Sequence, residues 1–215
     1  MWLTRLELSW HDWVRRGFNN PAVHHGFLWN MFEKYQLEEN QPEFTYSYHL
    51  DRRRPDFLVA SWREPMVNWP QWVSSGVRAV VRRMPEGVFE VGRTYGFVSR
   101  LSPQMSVCEF LAPTERVRRR VPLPDGEVPA WVDANINRDG RAVWCACGVE
   151  AVEMPQTAWT RSGDRITSHV VRVAGAMRVL DSELFERRLV FGIGRGKRYG
   201  LGMLVLPEIV RELGV

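Results

Sequence analysis

At 215 residues the chain is long enough to bury a good core, as one domain or two small ones. Its composition, 45% hydrophobic and 25% charged, is that of a soluble globular protein, and no apolar run approaches the ~18 residues of a membrane span. The net charge of +4 is compatible with nucleic acid without requiring it. Of the 29 cations only Lys34 and Lys197 are lysines, so 27 arginines offer the planar fork that grips phosphate and stacks on bases.

Residues 2–9 alternate, Trp2, Leu6 and Leu8 against Thr4, Arg5, Glu7 and Ser9, which predicts a first strand rather than a signal peptide, and a cytoplasmic protein. A polar, cationic segment, His11 to Phe18, follows. Asn20 then caps a helix with Pro21 in its first turn, expected over 21–38. At ~100° per residue, Phe27, Leu28, Met31, Phe32 and Tyr35 share one side. His24 falls in the middle of that side, as a core histidine, and His25 on its flank between Phe32 and Trp29.

Two strands are expected next, Phe44 to Leu50 and Phe57 to Trp62, joined by the turn Asp51-Arg-Arg-Arg-Pro55. The arginines Arg52, Arg53 and Arg54 suit a solvated tip as well as an RNA contact. After a proline-rich loop, Gly76 to Arg83 reads as either strand or helix. Strand, helix, strand, strand and a further element fit a ferredoxin-like half, and Met84-Pro-Glu-Gly87 marks its boundary.

A second run of the same kind follows. Arg93 to Leu101 is a strand, broken by Ser102-Pro103. Glu115 to Val121 is the most basic run, holding Arg116, Arg118, Arg119 and Arg120. A helix is expected over about 128–136, strands over 142–152 and 168–180, and a helix capped by Asp181 through Arg188. Cys108, Cys145 and Cys147 are odd in number, and Cys145-Ala-Cys147 is too tight for a C-x-x-C metal knuckle, so reduced, buried thiols on strands are expected.

The chain closes on Phe191-Gly-Ile-Gly-Arg-Gly-Lys-Arg-Tyr-Gly-Leu-Gly-Met-Leu-Val-Leu206. Gly194, Gly196 and their neighbours interleave with Arg195, Lys197 and Arg198, a composition suited to a phosphate chain; a flexible turn is the plainer reading. A Walker A loop is excluded by Phe191 and Arg198, and a G-x-G-x-x-G fingerprint by Lys197 and Tyr199. Met203 to Leu206 reads as a buried last strand.

None of the five histidines lies in an H-E-x-x-H motif, no acidic cluster resembles a two-metal nuclease site, and no G-x-S-x-G elbow occurs. An enzyme built from these residues would most economically act on RNA, which brings its own 2′-OH nucleophile. A near-neutral imidazole can take that proton, and guanidiniums can hold the charge developing on phosphorus.

The terminal Gly-Ile-Gly-Arg-Gly-Lys-x-x-Gly-x-Gly-Met-Leu pattern resembles the glycine-rich loop of CRISPR repeat-RNA endoribonucleases of the CasE type, the RNA-processing subunit of type I-E Cascade. Asn20-Pro21-Ala22-Val23-His24-His25, then Trp29, is similar to the family's Asp/Asn-Pro-x-x-x-His motif, and places its catalytic histidine at His25. Phe57-Leu58-Val59, Gly92-Arg93 and Arg118-Arg119-Arg120-Val121-Pro122 extend the likeness.

The resemblance implies an α+β protein of two tandem ferredoxin-like domains, 1–86 and 87–215. It implies metal- and cofactor-free cleavage at the 3′ base of the repeat hairpin, leaving a 2′,3′-cyclic phosphate, and retention of the product in Cascade beside the backbone subunit. RNA contacts are expected from Arg116, Arg118, Arg119, Arg120, Arg161, Arg165, Gly194, Arg195, Gly196, Lys197 and Arg198. Ala22 and Gly26 depart from the family's usual aromatic and polar residues, so another histidine or an arginine, with Arg161 and Arg165 as candidates, would assist His25; a cap that binds guide RNA without cutting is the alternative.

Overall fold

The structure, a computed structural model, describes residues 1–32, 44–50, 53–66, 77–112 and 115–215, by backbone alone at 109–112, 115 and 116. Strands β1 (Trp2–Glu7), β2 (Phe44–Leu50), β3 (Pro55–Ser61) and β4 (Arg78–Arg83) form one antiparallel sheet in the order β2-β3-β1-β4. Strand β3 is buried along its whole length because both faces of the sheet are covered. On one face Leu6, Tyr46, Phe57 and Val59 pack against Trp13, Phe27 and Leu28 of the helices that follow β1. On the other, Leu3, Leu58 and Ala60 meet Met203 and Val215.

The helical layer differs from the expected single helix over 21–38. The segment read as merely polar contains α1 (Trp10–Arg15), where Ser9 Oγ accepts the Asp12 N–H and donates to the Asp12 carboxylate. This is a local capping motif that stabilises even a short helix. A 3₁₀ turn, Pro21–Val23, leads into α2 (His24–Trp29). The helix stops early because the Asn30 amide takes the Gly26 carbonyl at 3.1 Å while the Asn30 N–H turns back to Phe27. The apolar side is as expected, with Phe27, Leu28, Met31 and Phe32 buried; Tyr35 and the remainder of the expected helix lie outside the described residues, as do Arg52 and residues 67–76 of the proline-rich loop.

The second sheet holds β5 (Thr94–Leu101), β8 (Val143–Val152) and β11 (Val171–Val179) in the antiparallel order β5-β11-β8. Helices α3 (Val128–Ile136) and α4 (Ser182–Phe191) cover it, and Asp181 caps α4 by accepting the Leu184 N–H at 2.9 Å. The segment expected as the last strand is buried but makes a single bridge, Val98 to Val205. Gly202, with φ of 89°, bends the chain before it, and Pro207 opens α5 (Pro207–Glu212) after it. Ser99 Oγ, instead of a backbone N–H, donates to the Met203 carbonyl. That bridge still places the segment beyond β5, so each half shows the fourth, first, third and second strands in that order, the ferredoxin-like arrangement.

Two hairpins depart from this plan. The basic run is strand β7 (Glu115–Pro122), paired with β6 (Gln104–Ala112) and with neither larger sheet. The connection between β8 and β11 carries β9 (Gln156–Trp159) and β10 (Arg165–Ser168), which the residue pattern had not suggested. The three cysteines sit on strands and form no disulfide, but they are not buried: Cys108 is exposed, and Cys145 and Cys147 are half-exposed on the edge strand β8. No helix among the described residues is long and apolar enough to cross a membrane.

Candidate functional site

Asn20 starts the local structure from which the site is built. Its Oδ1 accepts the Ala22 N–H at 3.2 Å, and Pro21 fixes the first turn. The two residues after this turn, His24 and His25, are both histidines, and helical geometry sends them to different surroundings. His24 is fully buried among Trp13, Phe18, Tyr48 and Phe57. Its Nε2–H donates to the Phe18 carbonyl at 2.8 Å, since a carbonyl can only accept. Burial, outweighing that bond, lowers its pKa to about 4, so the ring is neutral.

His25 is half-exposed. Its ring packs against both Trp29 and Phe44, with centroids at 5.5 and 5.2 Å, and those two rings also touch each other at 5.6 Å; this three-ring cluster holds the imidazole plane and leaves its nitrogen edge open. Among the described residues neither ring nitrogen has a hydrogen-bond partner. Burial, and then the nearby Arg198 guanidinium, hold its pKa below the usual imidazole value. A neutral imidazole with a free nitrogen is a proton acceptor at neutral pH.

The glycine-rich loop runs beside β2, an edge strand, and its backbone is tied down. The Tyr46 hydroxyl donates to the Arg198 carbonyl at 2.7 Å, and Gln156 Nε2 to the Tyr199 carbonyl at 2.8 Å. The N–H groups of Gly192, Ile193, Tyr199, Gly200, Leu201 and Gly202 are used within the protein; the tip, 194–198, stands outside this set. At Gly200, φ is 76° and a Cβ would lie 2.7 Å from the Tyr48 ring, so the glycine serves the chain's own packing. Lys197 is half-buried, its pKa lowered by burial and then by Arg188 and Arg138.

Arg198 and His25 border one open groove with Arg15 of α1 and with Trp159 and Arg161 of the β9–β10 hairpin. The hairpin is joined to the start of α2 by one side chain: Asn20 Nδ2 donates to the Trp159 carbonyl at 2.8 Å, and Asn20 Oδ1 accepts the Trp159 N–H at 2.9 Å. A neutral base and several guanidiniums around one cleft can receive a phosphodiester and take a proton from a hydroxyl beside it.

Of the residues expected to act, the structure brings His25, Arg161 and Arg198 together. Gly194, Arg195, Gly196 and Lys197 form the adjoining loop tip and do not line the groove. Arg165 is exposed on β10 and lies outside it. Arg118, Arg119 and Arg120 are exposed on the separate β6–β7 hairpin, and Arg116 precedes them on the same strand. Ala22 and Gly26 both border the groove. The residues the pattern did not single out are Arg15, Trp159 and Asn20 in its clasping role. The turn signal Ser162-Gly163-Asp164 was the available clue to the hairpin.

A family model described as CRISPR associated protein matches residues 1–207. Among solved structures, a CRISPR endoribonuclease Cse3 bound to a 19-nucleotide RNA superposes with a TM-score of 0.73 at 22% identity, covering 96% of this chain and 99% of that one. Cse3 of Thermus thermophilus, bound to an RNA representing a pre-cleavage complex, gives 0.66 at 23%, covering 95% and 98%. Cas6e of Escherichia coli K-12 gives 0.66 at 20%, covering 96% and 98%. No curated protein matches the sequence.

Proposed function

The chain belongs to the CRISPR-associated protein family, and from that premise we propose that it is an endoribonuclease that binds the hairpin of CRISPR repeat RNA and cuts at the hairpin's 3′ base. Residues 1–86 form the unit carrying the base, and 87–215 the unit carrying most of the RNA contacts. His25 removes the proton of the 2′-OH, the 2′-oxygen attacks phosphorus, and the bond to the 5′-oxygen breaks. The leaving oxygen takes a proton and the products are a 2′,3′-cyclic phosphate and a free 5′-OH. The nucleophile and base need no metal or cofactor. Arg15, Arg161 and Arg198 face the charge that grows on the phosphoryl oxygens. The exposed arginines Arg118, Arg119 and Arg120 suit the phosphates of a duplex, which is read by shape and backbone. The product stays bound, next to the backbone subunit of a Cascade assembly; matches that include an RNA-guided surveillance complex support this.

The observation that carries the reading is His25: a neutral imidazole, packed against two aromatic rings, with its nitrogen edge open to an arginine-lined groove. The test is incubation of the protein with its own repeat RNA in EDTA, wild type beside His25→Ala. Cleavage once below the hairpin by the wild type, with a cyclic phosphate end, and binding without cleavage by the variant are expected. Tight binding by both with cleavage by neither would replace this reading with a guide-RNA cap, for which Ala22 and Gly26 would be the places to look.

A further inference from the structure

Trp159 has no task in the chemistry above, yet it is held with care. It ends β9 with 52% of its surface open, in the groove that holds His25, Arg161 and Arg198. A large exposed indole beside cations is a costly surface unless something covers it. Both backbone polar atoms of Trp159 are bonded to the Asn20 amide, and the same Asn20 Oδ1 accepts the Ala22 N–H that opens the turn leading to His25. The turn beyond Trp159 is self-tied. Thr160 Oγ1 accepts the Asp164 N–H at 3.0 Å, and Ser162 Oγ donates to the Asp164 carboxylate at 2.6 Å. One side chain therefore sets the indole at a fixed place relative to the imidazole, and a rigid turn sets Arg161 next to both.

In-line attack by a 2′-oxygen requires that oxygen, the phosphorus and the leaving 5′-oxygen to align. A nucleotide stacked in an A-form helix does not have this alignment, so the one beside the cut must turn out of the stack. Its base then needs a surface, and an aromatic face supplies one whatever the base. We propose that Trp159 stacks the nucleobase adjoining the scissile phosphate, and that Asn20 is the positioning residue that holds this platform in register with His25. The proposal rests on the endoribonuclease reading and adds a single-stranded nucleotide subsite to it.

The test uses the full chain in EDTA with repeat RNA, either intact or carrying an abasic ribonucleotide beside the cut, in single-turnover cleavage. Trp159→Ala should slow cleavage of intact RNA on the order of 10- to 100-fold, and Trp159→Phe should recover most of it. On abasic RNA the wild type should already be slow, and Trp159→Ala should add nothing. Asn20→Asp keeps the acceptor for Ala22 and Trp159 N–H but loses the donor to the Trp159 carbonyl; it should slow intact RNA more than abasic RNA, where only the placing of Arg161 on the same hairpin is at stake. A second readout, 2-aminopurine at that nucleotide in an RNA with a 2′-deoxy block at the cut, should be quenched on binding wild type but not Trp159→Ala. Equal rates for wild type and Trp159→Ala on intact RNA, or an equal penalty on both RNAs, would overturn the stacking role even if cleavage is normal; an indole that serves a protein partner would give that result. Quenching without any cleavage would leave the stacking subsite standing while the endoribonuclease reading fell, and absence of both would remove both.

Discussion

The hydroxyl of Tyr46, on the first sheet, donates a 2.7 Å hydrogen bond to the carbonyl of Arg198 in the glycine-rich loop. Burial pushes the Tyr46 phenol well above its ordinary pKa, so it stays protonated and remains a donor. Tyr46→Phe keeps the ring and its packing but leaves a carbonyl unpaired. The expected cost is about 1–2 kcal/mol in urea denaturation. Because Arg198 borders the His25 groove, cleavage should slow with hairpin affinity less affected. Unchanged stability would show that water or the loop itself replaces the bond.

On the proposed mechanism His25 acts in its unprotonated form, so the rate should rise with pH and then level off. Its pKa lies below the ordinary 6.5 because of burial and then Arg198, so the plateau of kcat/KM should be reached at lower pH than a free imidazole would allow. Arg198→Gln removes a positive charge that disfavours the imidazolium. The midpoint should then move up towards 6.5, and a pH–rate profile in which it moves down would contradict the assignment.

His24 links stability to acid. Folded, its pKa is about 4 against 6.5 unfolded, so above pH 6.5 both states are neutral and nothing is lost. As pH falls from 6.5 towards 4 the unfolded chain takes up the proton first, and stability falls by on the order of 3 kcal/mol. His24→Leu should flatten that part of the stability–pH curve in chemical denaturation, at the cost of the bond to Phe18.

Two glycines should respond oppositely to alanine. Gly26 lies within α2 with no atom near its missing Cβ, so Gly26→Ala should stabilise by about 0.5–1 kcal/mol. Gly200→Ala must hold a φ of 76° and push into the Tyr48 ring, so it should destabilise by more than about 1 kcal/mol and disturb the neighbouring Arg198. Thermal melts of the two variants compare the effects directly.

Most of the regular frame was legible because its signals are local. The apolar run of β3, the alternation in β5 and β11, and the Asp181 cap each sit within a few residues of what they determine. The division of labour between His24 and His25 followed from helical angle alone, since Phe27 and Leu28 define the buried side. Other features were not local. The Asn20 amide reaches a hairpin 139 positions away, and no spacing rule reveals such a clasp. The last strand was over-read for a related reason: Met203 to Leu206 is as apolar as a strand, but Gly202 and Pro207 leave it room for one bridge. The cation-rich loop looked like an open cradle, whereas three of its five glycines, Gly192, Gly200 and Gly202, fit against the chain's own tyrosines and backbone.

The pocket of Leu3, Leu58 and Ala60 on the first sheet is closed by Met203 and Val215, from the opposite end of the chain. During synthesis the N-terminal half therefore emerges with one apolar face uncovered, and must wait for nearly the whole chain before its partner arrives. Contacts of such sequence separation slow the search for the native state and leave a sticky intermediate in the interval. Ribosome-bound chains halted short of residue 203 should be the form most dependent on chaperones.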